Sequence, residues 1–256
     1  NHYTMTLQGA KLAEGSHSLD SDYKITAAAG TLTIKPRALT ITAGDKSRVY
    51  GDANSTADYV NGTGKINVGA TTATSGLVNG DTIDNVTETI DSNATATTDA
   101  GTAGLKTKIA GAVFGTGLAS NYDITYDDGR FAITPRDLTL HAGDKTRVYG
   151  AENSTATYMG GTSKFRADAA TATTGLVNGD TIADVTESTN ALITTNAGTT
   201  GLKTQIAGAT FGVGKASNYN INYVDGGFDI TKRDLFITAG DKSRAYGADN
   251  SLASYV

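Results

Sequence analysis

The clearest secondary-structure signal of this chain lies in the stretch ITPRDLTLHAGDKTRVYG, residues 133–150. Apolar residues alternate with polar ones up to Ile133 and again from Leu138, and only the two-residue link Pro135-Arg136 separates the two runs. Strict alternation predicts β-strands with one buried face. We therefore expect one strand to continue almost directly into the next.

This stretch occurs three times along the chain. Its other copies span residues 34–51 and 230–247, so the Tyr near its end recurs after 149 − 50 = 99 residues and again after 246 − 149 = 97. A fixed period indicates an array of one module. Two further phrases repeat with it: GLVNGDTI at residues 76–83 and 175–182, and Ser-Asn-Tyr-x-Ile at residues 120–124 and 217–221, with a looser copy at 22–25.

The repeat predicts two complete modules, residues 36–134 and 135–231, each large enough to bury its own core. Residues 1–35 match the closing part of a module, and residues 232–256 match the opening part. The chain starts inside a repeat without a visible signal peptide, so we expect it to be cut from a longer polypeptide. Each end piece has too few strands to bury its apolar face. We expect a full module, or the complementary end of another copy, to cover it.

The turn residues suggest how the strands connect. Asp128-Gly129 predicts a tight hairpin between Tyr122–Tyr126 and Phe131–Ile133, with equivalents in the other copies. The Thr-, Asn- and Asp-rich segment 77–105, which is two residues shorter in the second module, is interpreted as an exposed loop. Further predictions are short strands at Arg48–Tyr50, Thr56–Val60 and Leu105–Ile109, a turn at Asn79–Asp81 and one helical turn at Gly76–Val78.

These elements predict a mainly β fold: tandem elongated β-rich modules, Ig-like sandwiches or β-grasp-like, joined end to end. No Gly-rich or Ser-rich linker separates the modules, and Pro restricts φ at the junction. We therefore expect a stiff array and an elongated particle.

Composition excludes several classes of partner. A net charge of −5 and a pI of about 5.1 argue against nucleic acid or an anionic membrane as the main partner. No apolar stretch has the length of a transmembrane helix. The absence of Cys fits either a cytosolic protein or a protein exported as an unfolded chain, since disulfides commonly stabilise small secreted domains.

Taken in order, the phrases LTITAGDK-x-x-x-YG, GLVNGDT, NYDITY-x-DG and ITPR resemble the MBG (YDG/YGX-type) repeats of very large bacterial surface adhesins, which are often filamentous-haemagglutinin-like. The resemblance covers nearly the whole chain. It implies β-rich stalk modules, a Gram-negative bacterium, an extracellular or cell-surface location, a role in biofilm or virulence, and no catalytic residues. The segments 60–75 and 159–174 are long for such repeats.

Residue types that carry chemistry are scarce. His2, His17 and His141 do not recur at equivalent positions, and no Cys is present, so we expect no enzyme, no catalytic residue, no cofactor and no tight metal. One set of charges does recur. A repeated binding strip is one interpretation, while turn chemistry for Asp and a solvated strand face for Lys and Arg is the favoured one. The set comprises Asp45, Lys46, Arg48 and their copies Asp144, Lys145, Arg147, Asp241, Lys242 and Arg244.

Three other patterns have a functional and a simpler interpretation. Carboxylates could hold calcium, but no spacing of a known calcium loop is present. The number of glycosylation sequons is close to that expected by chance. Tyrosines could form a platform for sugars, although their alternation with Ile favours a core position. The residues concerned are Asp127, Asp128, Asp180, Asp184 and Asp225; Asn54, Asn61, Asn85, Asn93 and Asn153; and Tyr50, Tyr122 and Tyr126.

Three functions stay open from the sequence. The favoured one is a structural stalk that projects a distal binding region and has neighbouring repeats as its partners. The second is a multivalent weak binder of glycan, matrix, exopolysaccharide or like stalks. The third is an accessory array of a polysaccharide-degrading enzyme. The strand phrases repeat closely, whereas the loops 60–70 and 159–169 differ, and this difference favours the stalk.

Overall fold

The computed structural model describes residues 2–9, 23–24 and 26–256, and the chain divides into two compact units between Thr134 and Pro135. The predictions of a mainly β fold and of tandem β-rich modules are confirmed. The first strands are β1 (His2–Met5) and β2 (Gly30–Thr33), which pair antiparallel with each other. The looser copy at 22–25 includes Asp22 and Ile25, which lie outside the described residues.

The two modules contain the same strands in the same order. The first has β3 Arg37–Ala43, β4 Lys46–Val49, β5 Asp58–Tyr59, β6 Ile66–Val68, β7 Thr82–Ile90, β8 Lys106–Thr116, β9 Tyr122–Asp127 and β10 Gly129–Thr134. The second has β11 Arg136–Ala142, β12 Lys145–Val148, β13 Thr157–Tyr158, β14 Phe165–Ala167, β15 Thr181–Thr189, β16 Lys203–Val213, β17 Tyr219–Val224 and β18 Gly226–Thr231. Then come β19 Lys242–Ser243 and β20 Ser254–Tyr255, and the short 3-10 turns are Asn54–Thr56, Ala119–Asn121, Asn153–Thr155, Ala216–Asn218 and Asn250–Leu252.

Each module consists of two sheets. In the first module, β6-β3-β9 form a three-stranded sheet, and β5-β4-β10-β8-β7 form a five-stranded sheet. The second module repeats this arrangement with β14-β11-β17 and β13-β12-β18-β16-β15.

The centre of each module is a parallel pair of strands that bends once, and we call it the closing ladder. In the first module its opening strand is β3 with β4, and its closing strand is β9 with β10. The residue numbers of two paired residues differ by 122 − 37 = 85 before the bend and by 131 − 46 = 85 after it. The same register therefore continues through both sheets. In the second module the offset is 83 on both sides. The pairs that mark the ladder are Arg37–Tyr122, Thr42–Asp127, Lys46–Phe131 and Val49–Thr134.

The predicted hairpin at Asp128-Gly129 is wrong. β9 and β10 follow each other along the chain but belong to different sheets, each beside a strand from the opening of the module. Gly129 has no positive φ, and a Cβ there would lie 2.6 Å from the main-chain oxygens of Ala43 and Gly44. The glycine therefore lets two backbones pass closely at the bend. Alternation looks the same in a hairpin and in a bent strand, so the pattern could not separate them.

Two predictions for the middle of the module are also wrong. The segment interpreted as an exposed loop contains β7, which pairs with β8 and buries Val86. Register shifts at Ile83 and Asn85 break the alternation that would have marked this strand. The segment Gly76–Val78 is not helical. The length difference between the modules does fall in a loop, residues 91–105 against 190–202.

The core of each module lies on both sides of the bend. In the first module, Leu39 and Ile41 of β3 pack with Val86 of β7, Ile109 of β8 and Tyr122 of β9. Beyond the bend in the second module, Phe228 and Ile230 of β18 pack with Ala191 and Leu202. At about 25 cal/mol per Å² of buried apolar surface, such contacts are the main stabilising contribution to a module.

Candidate functional site

The recurring Asp lies at the bend of the closing ladder. The Asp45 carboxylate accepts a hydrogen bond of 2.7 Å from the backbone N–H of Arg130, and Asp144 accepts one of 2.6 Å from Gly227. These pairs keep the ladder offsets, because 130 − 45 = 85 and 227 − 144 = 83. A side-chain oxygen thus supplies an acceptor where the ladder is interrupted. The sequence predicted that this Asp forms a turn, whereas in the structure its carboxylate accepts a hydrogen bond from the facing strand.

The recurring Lys is held against an acidic and an aromatic partner. Lys46 Nζ lies 2.9 Å from Glu88 Oε2 and 4.4 Å from the centroid of the Tyr59 ring. The Tyr59 hydroxyl donates to Glu88 at 3.0 Å. Burial, followed by this hydrogen bond, raises the pKa of the Tyr59 phenol to about 12. The ammonium therefore lies in a partly buried cluster that joins β4, β5 and β7.

The recurring Arg is buried. Arg48 donates from Nε to Asn54 Oδ1 at 2.8 Å, and its other nitrogens donate to the carbonyls of Val49 and Thr95. Burial lowers the pKa of the Arg48 guanidinium, and the Asp52 carboxylate opposes this effect. The guanidinium links β4 to the 3-10 turn beside it and to the loop after β7.

The second module repeats each of these contacts. Lys145 lies 2.7 Å from Glu187 and over the ring of Tyr158, whose pKa is likewise raised to about 12, first by burial and then by the bond to Glu187. Arg147 is buried, donates to Asn153 Oδ1 at 2.7 Å and reaches the Leu192 carbonyl. The interpretation of Lys and Arg as a solvated strand face is wrong in both modules.

Sequence reasoning missed the partners of these charges. Glu88 recurs as Glu187, and Asn54 recurs as Asn153 and Asn250, all at the repeat spacing. That recurrence was a usable signal. The sequence alone does not show which recurrent residues contact each other, because the partners lie about 40 positions apart, as Lys46 and Glu88 do.

The two other repeated phrases meet in space. Tyr122 donates from its hydroxyl to Asp81 at 2.8 Å and accepts from the N–H of Val78. Its ring stacks on Phe114 with centroids 5.4 Å apart. The second module repeats this contact with Tyr219 and Asp180. The positive φ of Asn79 and Gly80 produces the predicted turn that brings Asp81 to the tyrosine.

The tyrosines considered as a sugar platform are mostly core residues. Tyr122 and Tyr219 are buried, and the Tyr126 hydroxyl accepts from the N–H of Ala112. Tyr50 is buried, whereas its copy Tyr149 is partly exposed. No row of exposed rings is formed by Tyr122 and Tyr126.

The candidate calcium carboxylates are not brought together. Four of the five have their own partners: Asp128 pairs with Lys106, Asp225 with Lys203, Asp184 with Lys164, and Asp180 accepts from Tyr219. The fifth, Asp127, lies at the end of β9 opposite Thr42. Within residues 2–9, 23–24 and 26–256, no group of three His, Cys, Asp or Glu side chains converges to hold a metal ion.

The histidines and sequons have separate positions. His2 lies on β1 and contacts Thr33, His141 Nε2 lies 3.0 Å from Asp168 Oδ1, and His17 lies outside the described residues. The amides of Asn54 and Asn153 are bound inside the modules. Asn85 accepts from Lys65, while Asn61 and Asn93 are exposed.

In the part of the chain that the structure describes, no helix is long and apolar enough to span a membrane. The fold and contacts define a tandem array of β modules closed by a parallel ladder. The family model of the MBG domain (YGX type) matches residues 39–132 and 138–229, so the chain belongs to this family. Comparison with curated proteins and with solved structures gives no match.

Proposed function

We propose that this chain is part of the structural stalk of a large secreted or surface-bound bacterial adhesin, and that its modules hold a distal binding region away from the cell. The tandem MBG domains support an adhesin-like repeat region. In this proposal the chain works outside the cell, its partners are the neighbouring repeats of its own polypeptide, and it catalyses no reaction.

One observation carries the proposal: the charged residues that repeat in every copy form their hydrogen bonds and ion pairs with residues of their own module. Asp45, Lys46 and Arg48 each have internal partners, and so do their copies in the second module. A shared ligand would instead require repeated side chains that face solvent. The repeated chemistry stabilises the module, as a spacer requires.

The closing ladder also suits a chain under tension. The module begins at Arg37 and ends at Thr134, and these residues lie at opposite ends of the ladder because its strands are parallel. At about 3.3 Å per residue the ladder is roughly 40 Å long. Pulling on the two ends slides one strand along the other, so many hydrogen bonds resist together.

Pulling the chain by its two ends tests this proposal. Each module should unfold in one step that lengthens the chain by about 300 Å, which is the extended length of a module less its folded ladder. Two such steps at forces well above those of an unzipping hairpin are expected. Gradual extension without steps at low force would contradict the stalk function.

A weak binding function has one observation in its favour. The second module has an open recess of about 490 Å³ beside His141, lined in part by Gly160, Gly161 and Arg166. His141 and Arg166 correspond to Thr42 and Asn67 in the first module, so the two basic side chains beside this recess are not repeated there. Titration of glycans followed by NMR, with Arg166→Asn and His141→Thr as matched variants, tests it. Shifts confined to this recess that disappear in the variants would favour binding.

A further inference from the structure

The second module has an open cleft of about 220 Å³ at its five-stranded sheet. Side chains of β12, β15, β16 and β18 line it, together with the 3-10 turn Asn153–Thr155. It shares no lining residue with the recess beside His141. Sites for drug-sized ligands enclose about 300–1,000 Å³, so the volume of this cleft suits a smaller molecule.

An ion pair and an aromatic ring lie close together in this cleft. Lys145 and Glu187 both line it, and their side chains are 15% and 18% exposed. The ring of Phe228 and the buried Thr204 form part of its wall, and Ser154 adds an exposed hydroxyl group. The cleft thus combines an apolar surface with a few hydrogen-bonding groups, as binding sites for small organic molecules do.

The ion pair keeps free hydrogen-bonding capacity. Lys145 has three N–H groups; one donates to Glu187 at 2.7 Å, and the ammonium also lies over the ring of Tyr158. The Glu187 carboxylate accepts from Lys145 and from the Tyr158 hydroxyl, which uses two of its about four lone-pair sites. A donor and an acceptor therefore remain beside each other, and a ligand hydroxyl, which both donates and accepts, can use the two together.

The charges in the cleft favour a neutral ligand. Lys145 and Glu187 neutralise each other, and every other lining residue is uncharged. An anion would be repelled by Glu187 and a cation by Lys145. A pyranose ring matches these surroundings, because it is neutral, carries adjacent hydroxyl groups and has C–H groups on its faces.

One position makes this cleft different from the same place in the first module. Thr189 lines the cleft and pairs with Thr204 across β15 and β16. Its counterpart Ile90 pairs with Thr107 in the first module. Ile90 has an ethyl group where Thr189 has a hydroxyl, so the corresponding space is smaller and less polar. The Thr189 hydroxyl accepts from the N–H of Ala191 at 3.1 Å and still has its own hydrogen to donate.

We propose that this cleft binds one neutral pyranose unit of a glycan, and that the second module binds it more tightly than the first. The Lys145–Glu187 pair holds adjacent hydroxyl groups, while C–H groups of the sugar pack towards Phe228. This inference goes beyond the stalk function and does not depend on it. A module can resist tension with or without a bound sugar, so a sugar titration and the pulling experiment have separate outcomes.

Titration of the full chain with methyl glycosides of glucose, galactose and N-acetylglucosamine, followed by NMR, tests the proposal. At least one glycoside should shift the signals of Thr204 and Phe228 to saturation, with a dissociation constant on the order of 1–10 mM for so small a ligand. The signals of their counterparts Thr107 and Phe131 should shift less. Glycerol and glucuronate are the controls for an unspecific polyol effect and for an anion, and neither should saturate these signals.

Two reciprocal substitutions exchange the residue that differs between the modules. Thr189→Ile should weaken binding at least about tenfold, because it fills the cleft with the side chain that the first module has there. Ile90→Thr should produce new saturating shifts at Thr107. Calorimetry of both variants shows whether the modules stay folded at the temperature of the titration.

Three results would overturn the proposal. The first is the absence of saturating shifts with all three glycosides. The second is binding by the folded Thr189→Ile chain that is as tight as binding by the original chain. The third is a shift of the same size with glycerol or glucuronate. No new shifts in the folded Ile90→Thr chain would contradict the role of position 189 in opening the cleft.

Discussion

The opening strand of the second module and the segment 232–256 have nearly the same sequence and very different surroundings. Leu140 is 0% exposed and Ile237 is 85% exposed. Arg147 is buried, whereas Arg244 is exposed although it makes the same bond to an Asn, here Asn250 at 2.7 Å. The contacts within about 15 residues form in both regions. Burial appears only where a closing strand and the β15–β16 pair are present.

The comparison separates what the opening sequence encodes locally from what the whole module adds. The Lys-over-Tyr and Arg-to-Asn contacts are local, since Lys242 and Arg244 make them without a closing strand. The Lys-to-Glu pair and the Arg-to-loop bond need the middle of the module. Matched substitutions at equivalent positions can therefore measure the second contribution directly.

The largest difference in stability is expected between substitutions of Leu140 and of its counterpart Ile237. Leu140→Ala should destabilise the second module by about 2–5 kcal/mol, because it opens a cavity in a closed core. Ile237→Ala should leave both modules within about 0.5 kcal/mol of the original, since the side chain is exposed. Calorimetry follows both variants, with the transition of the first module as an internal reference. Comparable losses in the two variants would show that residues 232–256 belong to a packed core.

The arginine pair should differ by a smaller amount. Arg147→Ala removes charge-assisted bonds and leaves the Asn153 amide oxygen and the Leu192 carbonyl without their donor, at a cost of about 2–3 kcal/mol. Arg244→Ala, which removes the same local bond from an exposed segment, should have almost no effect on either module. Denaturant unfolding of the two variants measures the difference. If both lowered stability equally, the buried carbonyl contact would be unimportant.

The aspartate pair tests the bend. Asp144→Ala removes the acceptor of the Gly227 N–H and should cost about 1 kcal/mol. It should also speed hydrogen exchange at Gly227 itself, which NMR measures residue by residue. Asp241→Ala is the matched control and should leave exchange in the second module unchanged. Unaltered protection of Gly227 in Asp144→Ala would mean that the side chain does not bridge the strands.

The smallest effect on stability is expected from the phenols of Tyr59 and Tyr158, and only at high pH. The pKa values of Tyr59 and Tyr158 are raised to about 12 in the folded modules, above the ordinary value of 10, so the folded state keeps these protons longer than the unfolded state. Their stabilisation is complete below pH 10 and is lost as the pH rises towards 12. Tyr59→Phe with Tyr158→Phe should make unfolding less dependent on pH in this range. Tyr255→Phe, at an exposed ring, should leave the pH dependence as it is.

The sequence predicted the repeat, the β class and most of the strands around the junction, because alternation and period are local signals. It did not predict that β9 and β10 lie in different sheets, since a bent strand and a hairpin alternate alike. The strand β7 was missed because bulges at Ile83 and Asn85 break its alternation. The burial of Arg48 depends on Thr95, 47 residues away, and no local pattern reports such a contact.

The recurrence of charges correctly predicts a repeated feature, but the solvated strand face that it favoured for Lys and Arg is wrong in the two modules. Strand alternation places Arg48 on the inner face of β4. A buried charged residue is rarely found without a partner, so its burial can be predicted only when its partners are known. Glu88 and Asn54 recur at the same period, so pairing recurrent acids and amides with recurrent bases would have indicated internal contacts.

In the proposed stalk, tension slides the two strands of the closing ladder along each other and does not peel them apart one hydrogen bond at a time. The direct test pulls one module in two directions, through cysteines placed in this Cys-free chain. Ala38→Cys with Thr134→Cys puts the handles at opposite ends of the ladder, and Ala38→Cys with Asp123→Cys puts them on facing residues at the same end. At equal loading rate, the first pair should need a force several times higher than the second. Equal forces in the two directions would mean that the parallel ladder does not determine the resistance of the module to tension.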